Sequence, residues 1–272
     1  MYYSSVLSIL RLIFFIIWTF LCSFFQLFIL LLHKDYLFIV PRFCFKGLVF
    51  IFGIKVNHKG IPNNKKTVYV SNHTSYLDIL ILGSKIDGLF VAKSEIETWP
   101  LINKISKLRK TIFVNRGKKS EVNTQVKRLS NTLKDGYNII LFPEGTSNDG
   151  HRVLPFKSSL FAITDDPDIQ DFYIQPISIS YTGLDGLPLN RMFKPFFAWY
   201  GNMDLLPHVW QFLGLGSCEI TINYHKPILF SQFSSRKLFC DHCFKIISRQ
   251  VSSNLSLDRK ERIDNLYSYK HL

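Results

Sequence analysis

Acidic side chains are scarce in this chain: 20 Asp and Glu stand against 33 Lys and Arg among 272 residues, a formal charge of +13. Such a surplus suits nucleic acid, an anionic membrane or an anionic substrate. Zinc-finger spacing and RNA-recognition signatures are missing. The basic residues are scattered (Lys65 and Lys66, Lys118 and Lys119, Arg259, Lys260 and Arg262), which argues against nucleic acid. Cysteine is sparse as well, and its five residues are an odd number with Cys22 and Cys44 in the apolar N-terminus, so no disulfide framework is indicated. Cys240 and Cys243 form a single C-x-x-C without a second pair at zinc spacing or a strand leading into it, and they read as two thiols on one helical turn. No G-x-S-x-G elbow and no internal repeat is present, which excludes a solenoid and weakens a serine hydrolase. With 47% hydrophobic residues, disorder is excluded too.

Apolar residues are concentrated at the start. Positions 12–32 carry no charge and are broken only by Thr19, Ser23 and Gln26, a run long enough to cross a bilayer. A removable leader would have a shorter apolar stretch and a small-residue cleavage site; here His33, Lys34 and Asp35 follow, so the segment reads as a retained anchor. A second apolar stretch, 36–54, contains Arg42 and Lys46 and suits an interfacial or re-entrant position better than a span. Only Arg11 precedes the first run while Lys34, Arg42 and Lys46 follow it, which places the bulk of the chain on the cytoplasmic side. The expected division is an anchoring segment, 1–54, and a single catalytic-size domain, 55–272.

Beyond the anchor, strand and helix signals alternate, the pattern of an α/β fold with a mainly parallel sheet flanked by helices. Strands are expected at 67–71, 88–92, 111–114, 138–142, 174–181 and 218–224. Helices are expected at 74–84, 120–135, 157–164 and from Ser231 onward, with Pro100 opening another. Val122, Val126, Leu129 and Leu133 recur at helical spacing and Gly136 closes that helix. The 196–215 stretch is rich in aromatics (Phe196, Phe197, Trp199, Tyr200, Trp210, Phe212), which suits core packing, or an acyl-chain groove or membrane contact.

Chemistry is concentrated where two of these strands end. The first segment is Asn72-His73-Thr74-Ser75-Tyr76-Leu77-Asp78, and open α/β sheets place ligands at the C-terminal ends of strands. Five residues apart on one helix, His73 and Asp78 would stand about 140° apart. They meet only if His73 lies on the loop before the helix, with Thr74 or Ser75 supplying the cap. There His73 is suited to accept a proton beside the positive helix end, and Asp78 to fix its tautomer. The spacing alone is weak, with about 0.4 matches expected by chance. The second segment, Phe142-Pro143-Glu144-Gly145-Thr146, follows another strand. A specified five-residue string of this kind has a chance on the order of 10⁻⁴.

Together these residues resemble the 1-acylglycerol-3-phosphate acyltransferase family of glycerolipid acyltransferases. Asn72-His73 with Asp78 looks like the family's first block and 142–146 like its third. Ile112-Phe113-Val114-Asn115-Arg116 is similar to the second, and Gln175-Pro176-Ile177 to the short proline block. The likeness covers 55–224. Within it, 153–161 and Trp199-Tyr200-Gly201 look like an alphaproteobacterial branch that includes lyso-ornithine-lipid acylating relatives. Lys110 stands where the second block usually has glycine, Ser147 where the third continues with arginine, and Ser159 where glycine is frequent.

The resemblance implies acyl transfer from acyl-CoA or acyl carrier protein to the free hydroxyl of 1-acylglycerol-3-phosphate, giving phosphatidate in phospholipid biosynthesis, with lyso-ornithine lipid as the alternative acceptor. His73 would be the base and Asp78 its partner. Arg116 would bind the acceptor phosphate, Glu144, Gly145 and Thr146 would bind its glycerol end or shape the loop, and Lys157, with Arg152, would supply charge in place of the missing arginine. No metal, covalent intermediate or cofactor beyond the acyl donor is required, the partners are the lysophospholipid and an anionic membrane rather than nucleic acid, and the expected location is the cytoplasmic side of a bacterial inner membrane. Two other readings stay open: a serine hydrolase using Ser75 or Ser159, and a non-catalytic membrane lipid-binding protein.

Overall fold

A computed structural model describes residues 3–32, 38–94, 110–114, 122–166, 172–189 and 191–268. Two helices open the chain, α1 (Ser5–Leu32) and α2 (Ile39–Ile51). The domain that follows contains β1 (Ile54–Lys59), β2 (Thr67–Ser71), α3 (Leu77–Lys85), β3 (Leu89–Lys93), β4 (Ile112–Val114), α4 (Val122–Lys134) and β5 (Ile139–Leu141). It continues through a 3-10 segment (Ser158–Asp165), β6 (Tyr173–Leu184), β7 (Leu187–Pro188), a second 3-10 segment (Arg191–Phe196), α5 (Leu205–Leu213), β8 (Cys218–Tyr224), β9 (Ile228–Leu229), a one-turn 3-10 segment (Phe230–Gln232) and α6 (Arg236–Ser268). The order across the sheet is β1-β8-β6-β2-β5-β3-β4. Pairs β1–β8, β6–β2, β2–β5, β5–β3 and β3–β4 are parallel, while β6 and β8 run antiparallel, so the sheet is mixed and mainly parallel.

Alternation along the strands builds two cores. Tyr69, Ile177, Ile179 and Tyr181 face Leu77, Ile81 and Leu82 of α3 and Phe212 and Leu213 of α5. Val68, Val70, Leu141 and Ile174 face Leu129 and Leu133 of α4 and Phe239, Cys243 and Ile247 of α6. Burial of so many branched and aromatic side chains on both faces is what a parallel sheet requires. Within the aromatic 196–215 stretch, Phe197 and Phe212 are fully buried in this core and meet edge-on, while Phe196, Trp199, Tyr200 and Trp210 are half-buried. Cys240 and Cys243 lie buried and free on α6.

The largest differences from the sequence reading are these: the helix expected from Thr74 begins at Leu77, the helix expected at 157–164 is a 3-10 segment, the strand expected at 174–181 runs Tyr173–Leu184, and the last long helix starts at Arg236 rather than Ser231. The segment after Pro100 lies outside the described residues.

The N-terminal helices form an antiparallel hairpin. Arg11 stands beside Gly53, Phe15 beside Phe52, and Trp18 over Gly47, where its indole occupies the space a Cβ would need. Trp18 Nε1 donates to the Cys44 carbonyl at 2.9 Å. The start of α1 is docked on the domain: Ser4 N–H donates to Gly214 O at 2.9 Å, and the Arg11 guanidinium donates to the carbonyls of Leu213, Leu215 and Gly216 at 3.1, 2.5 and 3.2 Å. Arg42 of α2 pairs with Asp87 at 3.0 Å. Farther along α1 the apolar side chains are left uncovered, among them Phe14, Ile17, Phe20, Phe24 and Phe28. Among the described residues, α1 is the one helix long and apolar enough to cross a membrane.

Candidate active site

β2 and β5 are parallel neighbours with Val70 opposite Leu141, so both chains leave the sheet at the same edge. That register brings together two segments about 70 residues apart in sequence. His73 lies on the loop and α3 begins only at Leu77, which lets the five-residue spacing close: His73 Nδ1 is 2.9 Å from Asp78 Oδ2. Asp78 is fully buried. Its Oδ2 also accepts the backbone N–H groups of Thr74 and Ser75 at 2.7 and 3.0 Å, and its Oδ1 accepts the Tyr181 hydroxyl at 2.7 Å. The cap expected from Thr74 or Ser75 is therefore absent. Tyr76 occupies the cap position without a side-chain bond, and the first-turn carboxylate takes the loop N–H groups instead, through charge-assisted bonds that a hydroxyl cannot match.

The His73 ring lies flat on Phe142, centroids 4.2 Å apart, and Phe142 stacks on Phe90. With Nδ1 engaged by Asp78 and the side chain partly open, Nε2 is the ring nitrogen that can meet a substrate hydroxyl. Asn72 fixes the strand end beneath it: its amide donates to Ile179 O at 3.0 Å and accepts Ile179 N–H at 2.8 Å, continuing the ladder between β2 and β6.

Glu144 lies 1% exposed in a turn where Gly145 N–H donates to Phe142 O at 3.1 Å and Gly145 adopts φ 77°, a conformation glycine takes without strain. Its Oε1 accepts His73 N–H at 2.7 Å. Its Oε2 accepts Leu154 N–H at 2.8 Å and the Asn148 amide. Asn148 in turn donates through both its backbone and side-chain nitrogens to the His73 carbonyl, at 3.1 and 3.0 Å. Burial pushes the Glu144 carboxyl up to about 7, with the three N–H donors pulling the other way. Both Glu144 oxygens are thus engaged inside the protein, where they hold the loop and the His73 backbone, the second of the two roles expected for it.

The remaining expected residues are spread around this clamp. Gly145 is buried, Thr146 is exposed with its hydroxyl 3.3 Å from Ser147 O, and Lys157 is exposed while its N–H donates to Pro143 O at 2.9 Å. Arg152 is exposed as well. Arg116, with Asn115, lies outside the described residues. Lys110 takes φ 51°, the left-handed region that favours glycine, with its ammonium over the Tyr137 ring. Ser75 is buried and Ser159 exposed, and neither hydroxyl bonds to His73, so no serine–histidine pair forms there.

A third segment, which the sequence marked only by its aromatics, clasps the two loops. Trp199 N–H donates to Thr74 O at 3.1 Å, and the buried Lys194 donates to Gly150 O at 3.0 Å. Tyr76 OH meets His208 Nδ1 of α5 at 3.2 Å. Asn148, Tyr181, Lys194 and His208 were all missed. For Tyr181 the one available signal was the alternation Ile177, Ile179, Tyr181, which placed it on a single face.

Comparison with known proteins shows the family. The Acyltransferase family profile matches residues 53–180. The lyso-ornithine lipid O-acyltransferase of Rhizobium meliloti is 34% identical over 222 residues, covering 80% of this chain and 75% of that one. The protein of the same name from Brucella abortus is 32% identical, covering 73% of this chain and 76% of that one. The 1-acyl-sn-glycerol-3-phosphate acyltransferase of Neisseria gonorrhoeae is 26% identical, covering 63% of this chain and 64% of that one. In fold, the chain resembles the crystal structure of the 1-acyl-sn-glycerophosphate acyltransferase PlsC from Thermotoga maritima, with a TM-score of 0.65 at 21% identity over 91% of this chain and 97% of that one. The chain belongs to the glycerolipid acyltransferase family.

Proposed function

We propose that this acyltransferase moves a fatty acyl group from acyl-CoA or acyl carrier protein to the free hydroxyl of lyso-ornithine lipid. One observation carries the choice of acceptor: the Rhizobium and Brucella relatives of that name are 34% and 32% identical over three quarters of their length, against 26% for the Neisseria lysophosphatidate enzyme. Ser147, in place of the family's arginine, points the same way, since an acceptor without phosphate has less need of that charge. Lysophosphatidate is the second reading, favoured by Arg116 in the second block.

In this mechanism the acceptor hydroxyl approaches His73 Nε2, which takes its proton as the oxygen attacks the thioester carbonyl. The new C–O ester bond forms, the C–S bond breaks, and the same proton passes from Nε2 to the departing thiolate. Asp78 holds Nδ1–H, so the lone pair stays on Nε2, and it stabilises the transient imidazolium. Glu144 and Asn148 fix the His73 backbone against both loops, the positioning that makes dilute reactants near neighbours.

The acceptor is a lipid, and the hairpin supplies the means of reaching it. α2 has 13 residues, about 20 Å of helix, too short for a hydrocarbon core of about 30 Å. Both ends of the hairpin return to the domain. We read it as dipping into one leaflet, with the basic domain on the cytoplasmic face of an anionic membrane.

The test is acyl transfer in membranes holding wild type or His73→Ala, with lyso-ornithine lipid and lysophosphatidate offered separately and each donor supplied in turn. The expected result is acylated ornithine lipid from wild type and at least ~100-fold less from the variant. Near-normal turnover without His73 would overturn the mechanism, and product from lysophosphatidate alone would overturn the acceptor.

A further inference from the structure

The base is oriented by Asp78, and Asp78 is itself oriented. Its two oxygens are held differently: Oδ2 takes the Thr74 and Ser75 N–H groups and the His73 ring, while Oδ1 takes a single side chain, the Tyr181 hydroxyl at 2.7 Å. Tyr181 lies on β6, the strand parallel to β2 on the side away from β5. It reaches the dyad because Ile177, Ile179 and Tyr181 share the face covered by α3. Its ring packs against Phe197 at 5.7 Å, and β6 shifts register against β8 directly after it. Packing alone would be met by phenylalanine; what tyrosine adds is an O–H, and here the O–H meets the carboxylate rather than a backbone carbonyl.

We propose that Tyr181 is a positioning residue of the acyl transfer, its hydroxyl fixing Asp78 Oδ1 so that Oδ2 faces His73 Nδ1. The proposal rests on the acyltransferase mechanism above. Without the hydroxyl the carboxylate is held through Oδ2 alone, and it loses a donor that favours its charge. Burial and the neighbouring carboxylate push the Tyr181 hydroxyl well above its ordinary range, so it remains a donor throughout the working pH. The titratable groups that bear on Asp78 are His73 on the loop, Tyr181 on β6 and Glu144 beyond β5, with Tyr76 next to Tyr181 and His208 of α5 on the Tyr76 hydroxyl.

The test is Tyr181→Phe in the full chain, assayed in mixed micelles from pH 5 to 9 beside wild type. The active dyad carries a negative charge that its protonated form lacks. Removing a donor from Asp78 therefore disfavours the active form, and the acid limb of kcat/KM moves up by about 0.5–1 pH unit. At pH 7, kcat falls about 5- to 20-fold while the acceptor KM stays within about twofold. A second variant with 3-fluorotyrosine at position 181 keeps the shape and strengthens the donor, and its acid limb moves down. A Tyr181→Phe protein with wild-type kcat and an unmoved acid limb overturns the proposal, as does one that loses thermal stability with no change in the limb. An inactive wild type overturns the functional reading, and the Tyr181 role falls with it.

Discussion

Replacing Glu144 by Gln keeps the shape of the side chain and removes a buried charge, and the two effects separate with pH. The unfolded chain titrates this carboxyl at its ordinary 4.5, the folded protein at about 7 because burial disfavours the carboxylate. Between those values the folded state holds a proton that the unfolded state has released. The stability this group contributes is therefore complete below pH 4.5 and lost as pH rises through 7, a difference of about 3 kcal/mol. At 1% exposure, solvent screening takes little from that figure. A chain of 272 residues unfolds with about 0.6 kcal/mol of entropy per kelvin, so the loss amounts to about 5 °C in Tm.

Gln does not titrate, so the variant lacks this slope. Its amide must also turn an NH2 toward one of three donors. The least conflict is to face His73 N–H, which costs about 1–3 kcal/mol at every pH. The assay is thermal unfolding of both proteins in detergent micelles between pH 4.5 and 8, followed by tryptophan fluorescence. His208 and His225, whose pKa values burial lowers, stabilise with rising pH and slope the other way. They are common to both proteins and cancel in the difference. Wild type should lose about 5 °C relative to the variant across the range. Parallel Tm curves would refute the reasoning, because they would mean that Glu144 titrates alike in both states.

Three further outcomes follow from named contacts. Arg116→Ala should raise the acceptor KM if lysophosphatidate is the acceptor, and unchanged KM and kcat/KM for that lipid would remove the residue from phosphate binding. Asn72→Ala should cost about 2–4 kcal/mol, since it strands both the N–H and the C=O of Ile179, and a Tm within 1–2 °C of wild type, by the same entropy scale, would contradict that. Arg11→Met keeps the aliphatic stem but leaves the carbonyls of Leu213, Leu215 and Gly216 without their guanidinium; limited proteolysis in micelles should then cut between α1 and the domain several times faster, and equal rates would mean that the joint is not held there.

What the sequence made legible was local. The strand signals at 67–71 and 218–224 coincide with β2 and β8, since the first is a short, mainly apolar run and the second alternates apolar with polar residues. The geometric condition that His73 must precede its helix is met because a spacing and a helix period suffice to state it. The Glu144 clamp was not legible. Its donors, His73 N–H and Leu154 N–H, are backbone groups that carry no sequence signature, and only the parallel register of β2 and β5 brings them together. The cap failed for a related reason. A hydroxyl at Thr74 or Ser75 is the usual choice, but a carboxylate already aimed at the loop takes those N–H groups first. Arg11 was read as a charge that sets orientation, whereas in the fold its donors are engaged by three carbonyls more than 200 residues away in sequence.

That long-range joint links the two halves of the molecule. Arg11, Ser4 and Ser8 hold α1 against the end of α5, through Leu213, Leu215 and Gly216, Gly214, and Trp210 respectively. One turn earlier, α5 carries His208, whose Nδ1 meets Tyr76 two residues before Asp78. The helix that receives the apolar hairpin is thus the helix that braces the His73 loop. A lipid acceptor has its headgroup depth set by the bilayer, so a catalytic loop must stand at a fixed height above that surface if its base is to meet the hydroxyl. A flexible tether would leave that height free. Side-chain bonds run from the hairpin to α5 and from α5 to the loop, a continuous linkage within the folded chain that would hold such a height under the proposed function.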